Sequence, residues 1–274
     1  MNVISLRKPY RITAIISLYN KVDHLENRLK FMSFYEPGLV RYIVIDHAST
    51  DGSSEIAQKF CREHEHFDYV LTHNNTHNPS EPRNVGLKMA DTDYVVIVDA
   101  DDVFCADEAV EAVKYLDENP NCAAVCGMFC NSYEFIYNDR PEGLYTLWEE
   151  APIHSEYGNV YDAIFGVFYI GTGSILRRSK IKYPYRNEML EDSLFGLEFM
   201  YGLEHHEYFY QMMKCIYIQN QPYSERNKEA EDELRRTETF WLNATRKNML
   251  KYHPDFEKML KLNPNLNINE KWTY

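Results

Sequence analysis

Long hydrophobic runs are missing from this chain of 274 residues. No stretch approaches the ~20 consecutive apolar residues that a membrane-spanning helix needs. The longest candidate, residues 164–176, is shorter and contains three glycines. The N-terminal sequence MNVISLRKPYR also lacks the apolar core of a secretory signal peptide. We therefore expect a cytoplasmic protein, which could still lie peripherally at the inner face of a membrane.

Closely spaced pairs of cysteines are missing as well, because none of the six cysteines belongs to a CxxC motif. Cys122, Cys126 and Cys130 are four residues apart in a segment that is typical of a strand. In a strand these side chains would share one face and behave as small core groups. We predict free thiols in a reducing compartment.

An excess of basic residues is absent, since 29 Lys and Arg oppose 42 Asp and Glu and the formal net charge is −13. We expect no nucleic-acid partner, because nucleic-acid binders carry a basic face. An acidic protein that binds an anionic nucleotide needs local compensation from a metal ion, a basic side chain or a helix N-terminus.

Tyrosine, by contrast, is abundant: the 22 tyrosines suit stacking on sugars and bases, and equally an ordinary tyrosine-rich core.

The first 120 residues alternate between apolar runs and helical patterns. The runs predicted as strands are 11–18, 41–45, 67–72 and 94–98, and the predicted helices are 22–35, 55–63, 83–90 and 107–118, with a loop at 74–82. Continuous apolar strands that alternate with helices predict an α/β fold, in which helices cover both faces of a mostly parallel sheet.

The pattern is less regular after residue 121. Strands are predicted near 122–130, 166–177 and 215–218, and a helix at 192–201. From Arg226 onward the chain is highly charged, and its apolar residues follow a helical stripe. We predict one domain over 1–225 and a helical extension over 226–274, which either docks on a membrane or a partner subunit or packs on the domain.

Polar clusters follow three of the predicted strands. The first strand ends at Tyr19 and Asn20, the second at Asp46 and His47, and the fourth at the sequence DADD, residues 99–102. Ligands of an open parallel sheet bind outside the carboxyl ends of its strands, so we expect these clusters to form one site.

The DADD segment is the strongest of these signals. In extended backbone, residues two apart face the same way, roughly 6.5 to 7 Å apart, so Asp99 and Asp101 would point at one place. Two neighbouring carboxylates repel unless a cation joins them. Oxygen ligands favour Mg²⁺ or Mn²⁺, which complete their coordination with substrate phosphates. The alternative is an acidic turn that caps the helix predicted from Asp107.

Arg83 is predicted to begin a helix, where the helix dipole already supplies positive charge. A residue placed against its local preference indicates an anionic ligand such as pyrophosphate. The alternative is a surface arginine that pairs with Glu81 or Asp91.

Motifs in a fixed order carry a resemblance to a known family. They read SLYN at 17–20, VIDHASTDGS at 44–53 and PRNVGLKMADTDYVVIVDADD at 82–102, followed more weakly by GTGSILRR at 171–178 and LEDSLF at 190–195. The chain resembles the family 2 glycosyltransferases of the GT-A fold, strongly over 11–105 and weakly to about residue 227. The resemblance divides the domain into a nucleotide and donor half, about 1–120, and an acceptor half, about 121–225.

The resemblance implies inverting, metal-assisted transfer of a sugar from a nucleotide-diphosphate sugar to an acceptor hydroxyl. The acceptor would be a glycan, a lipid-linked saccharide or a precursor of a cell-surface polysaccharide. The QxxRW signature of processive synthases is absent, which favours transfer of a single sugar.

The resemblance also implies roles for the matching residues. Tyr19 would line or stack on the nucleotide base, Asp46 and Asp51 would lie in the nucleotide-binding loop, Arg83 would contact the nucleotide or its pyrophosphate, and Asp99 would lie near the ribose. These residues are the nucleotide-binding candidates.

Two further carboxylates carry the chemistry in this interpretation. Asp101 would ligate Mn²⁺ or Mg²⁺, and Asp192 matches the catalytic base of the family. The alternative for Asp192 is a helix N-cap, because Asp before SLFGLEF is a good capping residue. A residue at a helix start in a cleft can serve both roles.

The chain departs from the family pattern at His47, which replaces an Asp, and at Ala48, which replaces a Gly. His47 stays among the nucleotide-binding candidates, and the identity of the base is left open. Gln219 also stands where the family has Arg.

Two other functions compete with this one. The sequence IVDADDV at 97–103 also matches the signature of haloacid-dehalogenase-type phosphotransferases, in which the first Asp is a nucleophile. That motif usually opens its domain, whereas three βα units precede it here. The other alternative is a catalytically degenerate sugar- or nucleotide-binding subunit, which the replacements at His47 and Gln219 favour and the intact Asp99, Asp101 and Asp192 oppose.

Overall fold

The structure, a computed structural model, describes residues 10–35, 38–73, 78–131, 143–145, 170–204, 206–220 and 247–256. Its strands are β1 (Ile12–Leu18), β2 (Val40–Asp46), β3 (Phe67–Leu71), β4 (Tyr94–Asp99), β5 (Val103–Phe104), β6 (Cys122–Asn131), β7 (Gly143–Tyr145), β8 (Ile175–Arg177) and β9 (Tyr208–Gln219). Its helices are α1 (Val22–Phe34), α2 (Ser53–Glu63), α3 (Ser80–Met89), α4 (Ala109–Glu118) and α5 (Glu191–Tyr201), with a 3₁₀ turn at Arg178–Lys180 and a further helical stretch at 247–252.

The described strands form one sheet in the order β3-β2-β1-β4-β8-β6-β9-β5, and β7 pairs with β9. Strands β1 to β4 are parallel, and Leu18 of β1 lies opposite Asp46 while Ser17 lies opposite Asp99. The carboxyl ends of β1, β2 and β4 therefore meet at one edge. Beyond β4 the sheet is mixed: β8 is antiparallel to β4 and β6, whereas β6 and β9 are parallel. The predicted α/β fold with a mostly parallel sheet is confirmed.

Both faces of the sheet are buried. Along β1, Ile12, Ala14 and Ile16 belong to one core, which α1, α2 and α4 complete, whereas Ile15 belongs to a second core with α5. Successive residues of a strand point to opposite faces, so a strand between two helical layers needs apolar residues at consecutive positions. This requirement explains the unbroken apolar runs in the sequence.

The predicted elements of the first 120 residues agree with the structure except around α3, and the two-residue strand β5 is present in addition to them. This helix begins at Ser80, so Pro82 lies in its first turn and Arg83 is its fourth residue rather than its first. Proline is tolerated there, because the first N–H groups of a helix have no intrahelical partner. The predicted loop at 74–82 is therefore three residues too long at its end, and the predicted helix start at residue 83 is three residues too late.

The later strands differ more from their predictions. Strand β9 begins at Tyr208, seven residues before the predicted 215, because it pairs with β6 along most of its length. Of the predicted strand at 166–177, residues 166–169 lie outside the described residues, and β8 covers only 175–177.

Four of the cysteines are free thiols, as predicted: Cys61, Cys105, Cys122 and Cys126. Burial raises the pKa of the Cys126 thiol to about 12, in keeping with an inert core group. Cys215 is disulfide-bonded, so the prediction of free thiols is wrong for this residue. The parallel pairing of β9 with β6, which the sequence did not predict, brings Cys215 opposite Met128.

Residues 247–256, called the C-terminal segment below, are the described part of the predicted 226–274 extension. They pack on α5, because Met249 and Phe256 are buried in the core that contains Leu194 and Phe195. None of the helices within the described ranges combines the length and the apolar character needed to cross a bilayer.

Gly196 determines how closely α5 approaches the backbone at Ile170. A Cβ at this position would lie 2.1 Å from the carbonyl oxygen of Ile170, a backbone atom that cannot rotate away. We expect Gly196→Ala to lower the free energy of unfolding by about 1–3 kcal/mol, because overpacking forces the backbone to shift. Urea denaturation measures this loss.

Gly202, which directly follows α5 as its C-cap, provides the matched control. A Cβ there would first meet Cδ of Lys182 at 3.3 Å, the flexible part of a long side chain. Gly202→Ala should therefore change the free energy of unfolding by less than about 1 kcal/mol. Equal effects of the two substitutions would contradict this account of the α5 packing.

Candidate active site

A cavity of about 750 Å³ opens at the carboxyl ends of β1, β2 and β4. Six of the eight predicted site residues line it: Tyr19, His47, Arg83, Asp99, Asp101 and Asp192. Further residues at the ends of β1 and β4 also line it: Ser17, Leu18, Asn20, Lys21, Ala100 and Asp102. The loop before α3 and its first turn, the start of α5 and the end of β9 complete the wall through Asn78, Pro79, Pro82, Glu191, Gln219 and Asn220. Residues from both predicted halves thus face one cavity.

Asp46 does not line the cavity and supports its wall instead. Its side chain is fully buried and accepts hydrogen bonds from the Ser49 amide at 2.9 Å, the Tyr69 hydroxyl at 2.7 Å and the Ser54 hydroxyl. A carboxylate with this many donors fixes the loop that follows β2.

Asp51 ties this loop to the start of α1. Its carboxylate accepts hydrogen bonds from the Val22 amide at 3.0 Å and from the amide and hydroxyl of Ser53 at 3.0 and 2.6 Å. Burial opposes ionisation of Asp51, but these hydrogen bonds outweigh it and lower the pKa of the carboxyl group. The structure therefore brings neither Asp46 nor Asp51 to the cavity surface.

Tyr19 and His47 form the wall at the ends of β1 and β2. Their ring centroids are 6.5 Å apart in an edge-on arrangement, and Nδ1 of His47 lies 2.9 Å from the Thr72 hydroxyl. Each is followed by a non-glycine residue in the left-handed region, Asn20 with φ 49° and Ala48 with φ 57°. Such conformations cost roughly 1–3 kcal/mol each and cluster at functional sites.

The DADD segment is a turn rather than extended backbone. Strand β4 ends at Asp99, and the Asp102 amide donates to the Asp99 carbonyl at 2.9 Å. The prediction of two carboxylates aligned by a continuing strand is therefore wrong in its geometry, although Asp99 and Asp101 both line the cavity.

The three carboxylates of this turn have different partners. Asp99 accepts hydrogen bonds from Ser17 at 3.2 Å and Arg83 at 3.0 Å, whereas Asp101 pairs with the Lys21 ammonium at 2.6 Å. Asp102 is buried and accepts hydrogen bonds from the Tyr217 hydroxyl and the Asn220 amide, both at 2.7 Å. Burial raises the pKa of Asp102 to about 6. Asp101 is thus the carboxylate of this turn whose partner, Lys21, is a partly exposed cation.

A metal site of three or more His, Cys, Asp or Glu side chains does not occur within the residues that the structure describes. The oxygen donors present, Asp101 and the neighbouring Asp99, fit a Mg²⁺ or Mn²⁺ ion that takes one or two carboxylates from the protein. The remaining ligands of such an ion are usually substrate phosphates and water. The donor set therefore fits the ion only together with a phosphate ligand.

Arg83 connects the two halves of the cavity. Its side chain is only 4% exposed, and its guanidinium bonds Asp99 at 3.0 Å and Glu191 at 2.8 Å. It also lies 5.2 Å from the centre of the Tyr185 ring, which stacks on Phe195 at 4.0 Å. The alternative of a surface arginine that pairs with Glu81 or Asp91 is wrong, because the helix turns this side chain into the cavity wall.

Asp192 is the second residue of α5 and lines the cavity beside Glu191. Leu190, with φ 62° and ψ 44°, occupies the N-cap position, so the interpretation of Asp192 as the N-cap is wrong. A carboxylate in the first turn of a helix is still favoured by the helix dipole. Burial, and then the neighbouring Asp192, raise the pKa of Glu191.

Sequence reasoning missed Lys21, Tyr217 and Glu191 as parts of the site. Lys21 directly follows the SLYN motif, so the rule on strand ends could have found it. Glu191 lies in the motif LEDSLF directly before Asp192, and its place in the motif is the signal that could have found it. Tyr217 had no signal, because its contact with Asp102 depends on the placement of β9.

Comparison with known proteins gives a family match over most of the chain. Residues 13–183 match the family model "Glycosyl transferase family 2". An uncharacterized glycosyltransferase from Rickettsia conorii is 28% identical over 109 residues, which are 40% of this chain and 18% of that protein. The poly(ribitol-phosphate) beta-N-acetylglucosaminyltransferase TarS from Staphylococcus aureus is 26% identical over 111 residues, or 40% of this chain and 19% of TarS. The matched region thus spans about a fifth of the length of these relatives.

Solved structures share the fold at low sequence identity. The structure of S. aureus TarS 1–349 in complex with UDP-GlcNAc superposes with a TM-score of 0.62 and 19% identity, over 85% of this chain and 67% of that one. The mannosyltransferase PcManGT from Pyrobaculum calidifontis, in complex with GDP-Man and Mn²⁺, gives a TM-score of 0.54 and 15% identity over 94% of this chain and 82% of that one. These likenesses confirm a GT-A-like arrangement.

The Arg83 bridge generates a prediction about stability and pH. Arg83→Met removes a buried cation and leaves two carboxylates facing each other, so we expect a loss of about 3 kcal/mol in the free energy of unfolding at pH 7. Burial and Asp192 raise the pKa of Glu191, whereas the charge of Arg83 lowers it. We therefore expect this pKa to rise further in Arg83→Met. An acid with a raised native pKa stabilises the fold only at low pH, so the loss should shrink toward pH 5 and grow toward pH 8.

Urea denaturation at these pH values measures the effect. Arg41→Met is the matched control, because Arg41 pairs with Asp68 at 2.6 Å in a more exposed setting. Arg41→Met should lower the free energy of unfolding by less than about 1 kcal/mol. A loss from Arg83→Met that is the same at pH 5 and pH 8 would contradict the bridge as described.

Proposed function

We propose that this chain, which belongs to glycosyl transferase family 2, transfers a single sugar from a nucleotide-diphosphate sugar to an acceptor hydroxyl with inversion of the anomeric carbon. One observation carries the proposal: the DADD turn and the carboxylate of Asp192 line the same cavity from opposite sides of the Arg83 bridge. A donor held at the turn would present its anomeric carbon toward Asp192.

The donor would lie along the ends of β1, β2 and β4. A volume of about 750 Å³ is in the range of ligand pockets and admits a nucleotide with a sugar. Tyr19 and His47 would contact the base, and Asp99 would lie near the ribose. Two proteins of the same fold were solved with UDP-GlcNAc and with GDP-Man, so uridine and guanosine donors are the first to test.

A divalent ion, Mn²⁺ or Mg²⁺, would be held by Asp101 together with the diphosphate, and it would neutralise the charge that develops on the leaving group. PcManGT was solved with Mn²⁺, which supports this choice. Two cations of the cavity wall would face the diphosphate: Lys21, which is partly exposed and pairs with Asp101, and Arg83, which pairs with Asp99 and Glu191.

Asp192 would act as the base. The acceptor oxygen forms a bond to the anomeric carbon, the bond from that carbon to the diphosphate oxygen breaks, and the acceptor proton passes to the Asp192 carboxylate. A carboxylate suffices as the base because the hydroxyl acidifies as its bond to carbon forms. Its position opposite the leaving group matters more than its basicity.

The acceptor would be a saccharide, either a glycan or a lipid-linked or cell-surface polysaccharide precursor. The name of TarS, which describes transfer to poly(ribitol-phosphate), supports a hydroxyl-rich acceptor. A cytoplasmic location, peripheral at the inner face of a membrane, and contact with a membrane or partner subunit through 226–274 stay predictions of the sequence.

Hydrolysis assays separate this function from its alternatives. Release of the sugar from a nucleotide-diphosphate sugar with Mn²⁺ supports a transferase, and release of orthophosphate from a monoester supports a phosphotransferase. Nucleotide-diphosphate binding without either reaction supports a degenerate binding subunit.

The metal role predicts the behaviour of Asp101→Asn. The neutral amide replaces one anionic ligand, so the variant should fold but lose the stabilisation that Mn²⁺ adds to UDP or GDP binding. Thermal shift with and without Mn²⁺ measures this, since a ligand at 100 times its Kd stabilises by about 2.7 kcal/mol. Asp23→Asn, an exposed change on α1, is the control. Unchanged Mn²⁺-dependent stabilisation in Asp101→Asn would remove the metal role.

The base role predicts the behaviour of Asp192→Asn, which keeps the side-chain shape and removes the proton acceptor. Turnover should fall about 10²- to 10⁴-fold while donor affinity changes little. Steady-state kinetics and nucleotide titration measure the two quantities, and NMR of the product gives its anomeric configuration. Near-normal turnover, or a product that retains the donor configuration, would contradict the assignment.

A further inference from the structure

The loop that leads into α5, residues 185–190, is held in place by hydrogen bonds that its backbone carbonyls accept. Three donors come from α3 and the residues just before it: Asn84 to the Tyr185 carbonyl at 2.8 Å, Ser80 to the Arg186 carbonyl at 2.5 Å and Asn78 to the Glu188 carbonyl at 3.1 Å. A fourth comes from the C-terminal segment, where Asn248 donates to the Met189 carbonyl at 3.0 Å. The loop is therefore fixed from two sides.

The last residue of this loop is strained. Leu190 has φ 62° and ψ 44°, a left-handed conformation that branched side chains avoid. The Leu194 amide donates to its carbonyl at 2.9 Å, so α5 starts from this turn. The direction in which Asp192 leaves the turn depends on Leu190 keeping that conformation, and residues held in such regions persist only where the surroundings determine them.

The C-terminal segment holds the loop just before Leu190. Besides the bond from Asn248 to Met189, Lys251 and the Tyr252 hydroxyl both contact the Glu188 carboxylate. These contacts hold the pKa of Glu188 below its usual value. The Tyr252 ring also lies 4.5 Å from the guanidinium of Arg186. The segment thus contacts three loop residues: Arg186, Glu188 and Met189.

The segment itself is anchored firmly enough for this role. Met249 and Phe256 are buried, and Nε2 of His253 lies 2.7 Å from the buried Glu198 carboxylate of α5. Arg186 of the loop bonds the same carboxylate at 3.0 Å. Segment, loop and helix α5 thus share one buried polar centre.

We propose that the C-terminal segment, through Asn248 and Tyr252, positions the base Asp192 by holding residues 188–190 in the strained turn. This inference rests on the proposed role of Asp192 as the base. Asn248 and Tyr252 are positioning residues, since neither lines the cavity. They act on the reaction through the loop and should change turnover rather than donor binding.

The test uses the full chain with Asn248→Ala and Tyr252→Phe, singly and together. Tyr252→Phe keeps the ring beside Arg186 and removes only the hydroxyl. Lys247→Ala, an exposed change on the same segment, is the matched control. The probe reaction is hydrolysis of UDP-GlcNAc and of GDP-mannose with Mn²⁺, and hydrogen exchange of the amides of residues 185–194 is followed without any substrate.

In the double variant we expect kcat for hydrolysis to fall about 10- to 100-fold while the donor KM stays within about twofold, because misplacement of a reacting group lowers the rate and not the binding. Exchange at 185–194 should become about tenfold faster, since the loop opens more readily. Adding Leu190→Asn to the double variant should restore most of the lost kcat and most of the lost exchange protection, because Asn adopts the left-handed region more easily than Leu.

Two results would overturn the inference. The first is that the exchange rates and kcat of the double variant equal those of the control Lys247→Ala. The other is a loss that Leu190→Asn does not restore, which would assign Asn248 and Tyr252 to general stability. The exchange measurement needs no catalysis, so it tests the loop even if Asp192→Asn shows that Asp192 is not the base.

Discussion

The guanidinium of Arg83 is the interaction on which the rest of the site depends. It is almost fully buried and bonds one carboxylate from the donor side, Asp99, and one from the start of α5, Glu191. Without a cation between them, these two carboxylates would repel each other. The bridge therefore sets the width of the cavity and the distance between the DADD turn and Asp192. A lysine could not replace it, because a planar guanidinium bonds two partners at a fixed angle.

The remaining charges of the site follow from this arrangement. Asp99 and Glu191 bond Arg83, and Asp101 and Asp192 line the cavity on either side of this bridge. Lys21 balances Asp101 from the partly exposed side, and an ammonium on a flexible stem can move when a diphosphate arrives. The cavity itself is acidic, because five carboxylates (Asp99, Asp101, Asp102, Glu191 and Asp192) line it against the two cations Lys21 and Arg83. An anionic diphosphate would therefore depend on the divalent ion proposed at Asp101.

The sequence predicted the parallel half of the fold and most of the cavity for one reason: the information there is local. Apolar runs identify β1, β2 and β4, and the rule on strand ends collects their polar residues at one edge. The Arg83 bridge, the long β9 and the disulfide of Cys215 could not be predicted in this way, because each depends on pairing between distant segments. The left-handed conformation of Leu190 could not be predicted either, since nothing in its residue type indicates it.

The contact between Tyr217 and Asp102 has a consequence for how the molecule acquires its site. The two residues are 115 positions apart in the chain, and the neighbouring bond from Asn220 to Asp102 spans 118 positions. Contacts of such long sequence separation form late, because loop closure precedes any gain from them. Strand β1 pairs with β2 at a separation of 28 positions, β2 with β3 at 25 and β1 with β4 at 82, so these strands can assemble first. A nascent chain that ends before residue 217 would therefore hold a nearly complete parallel sheet whose DADD turn still lacks its buried support.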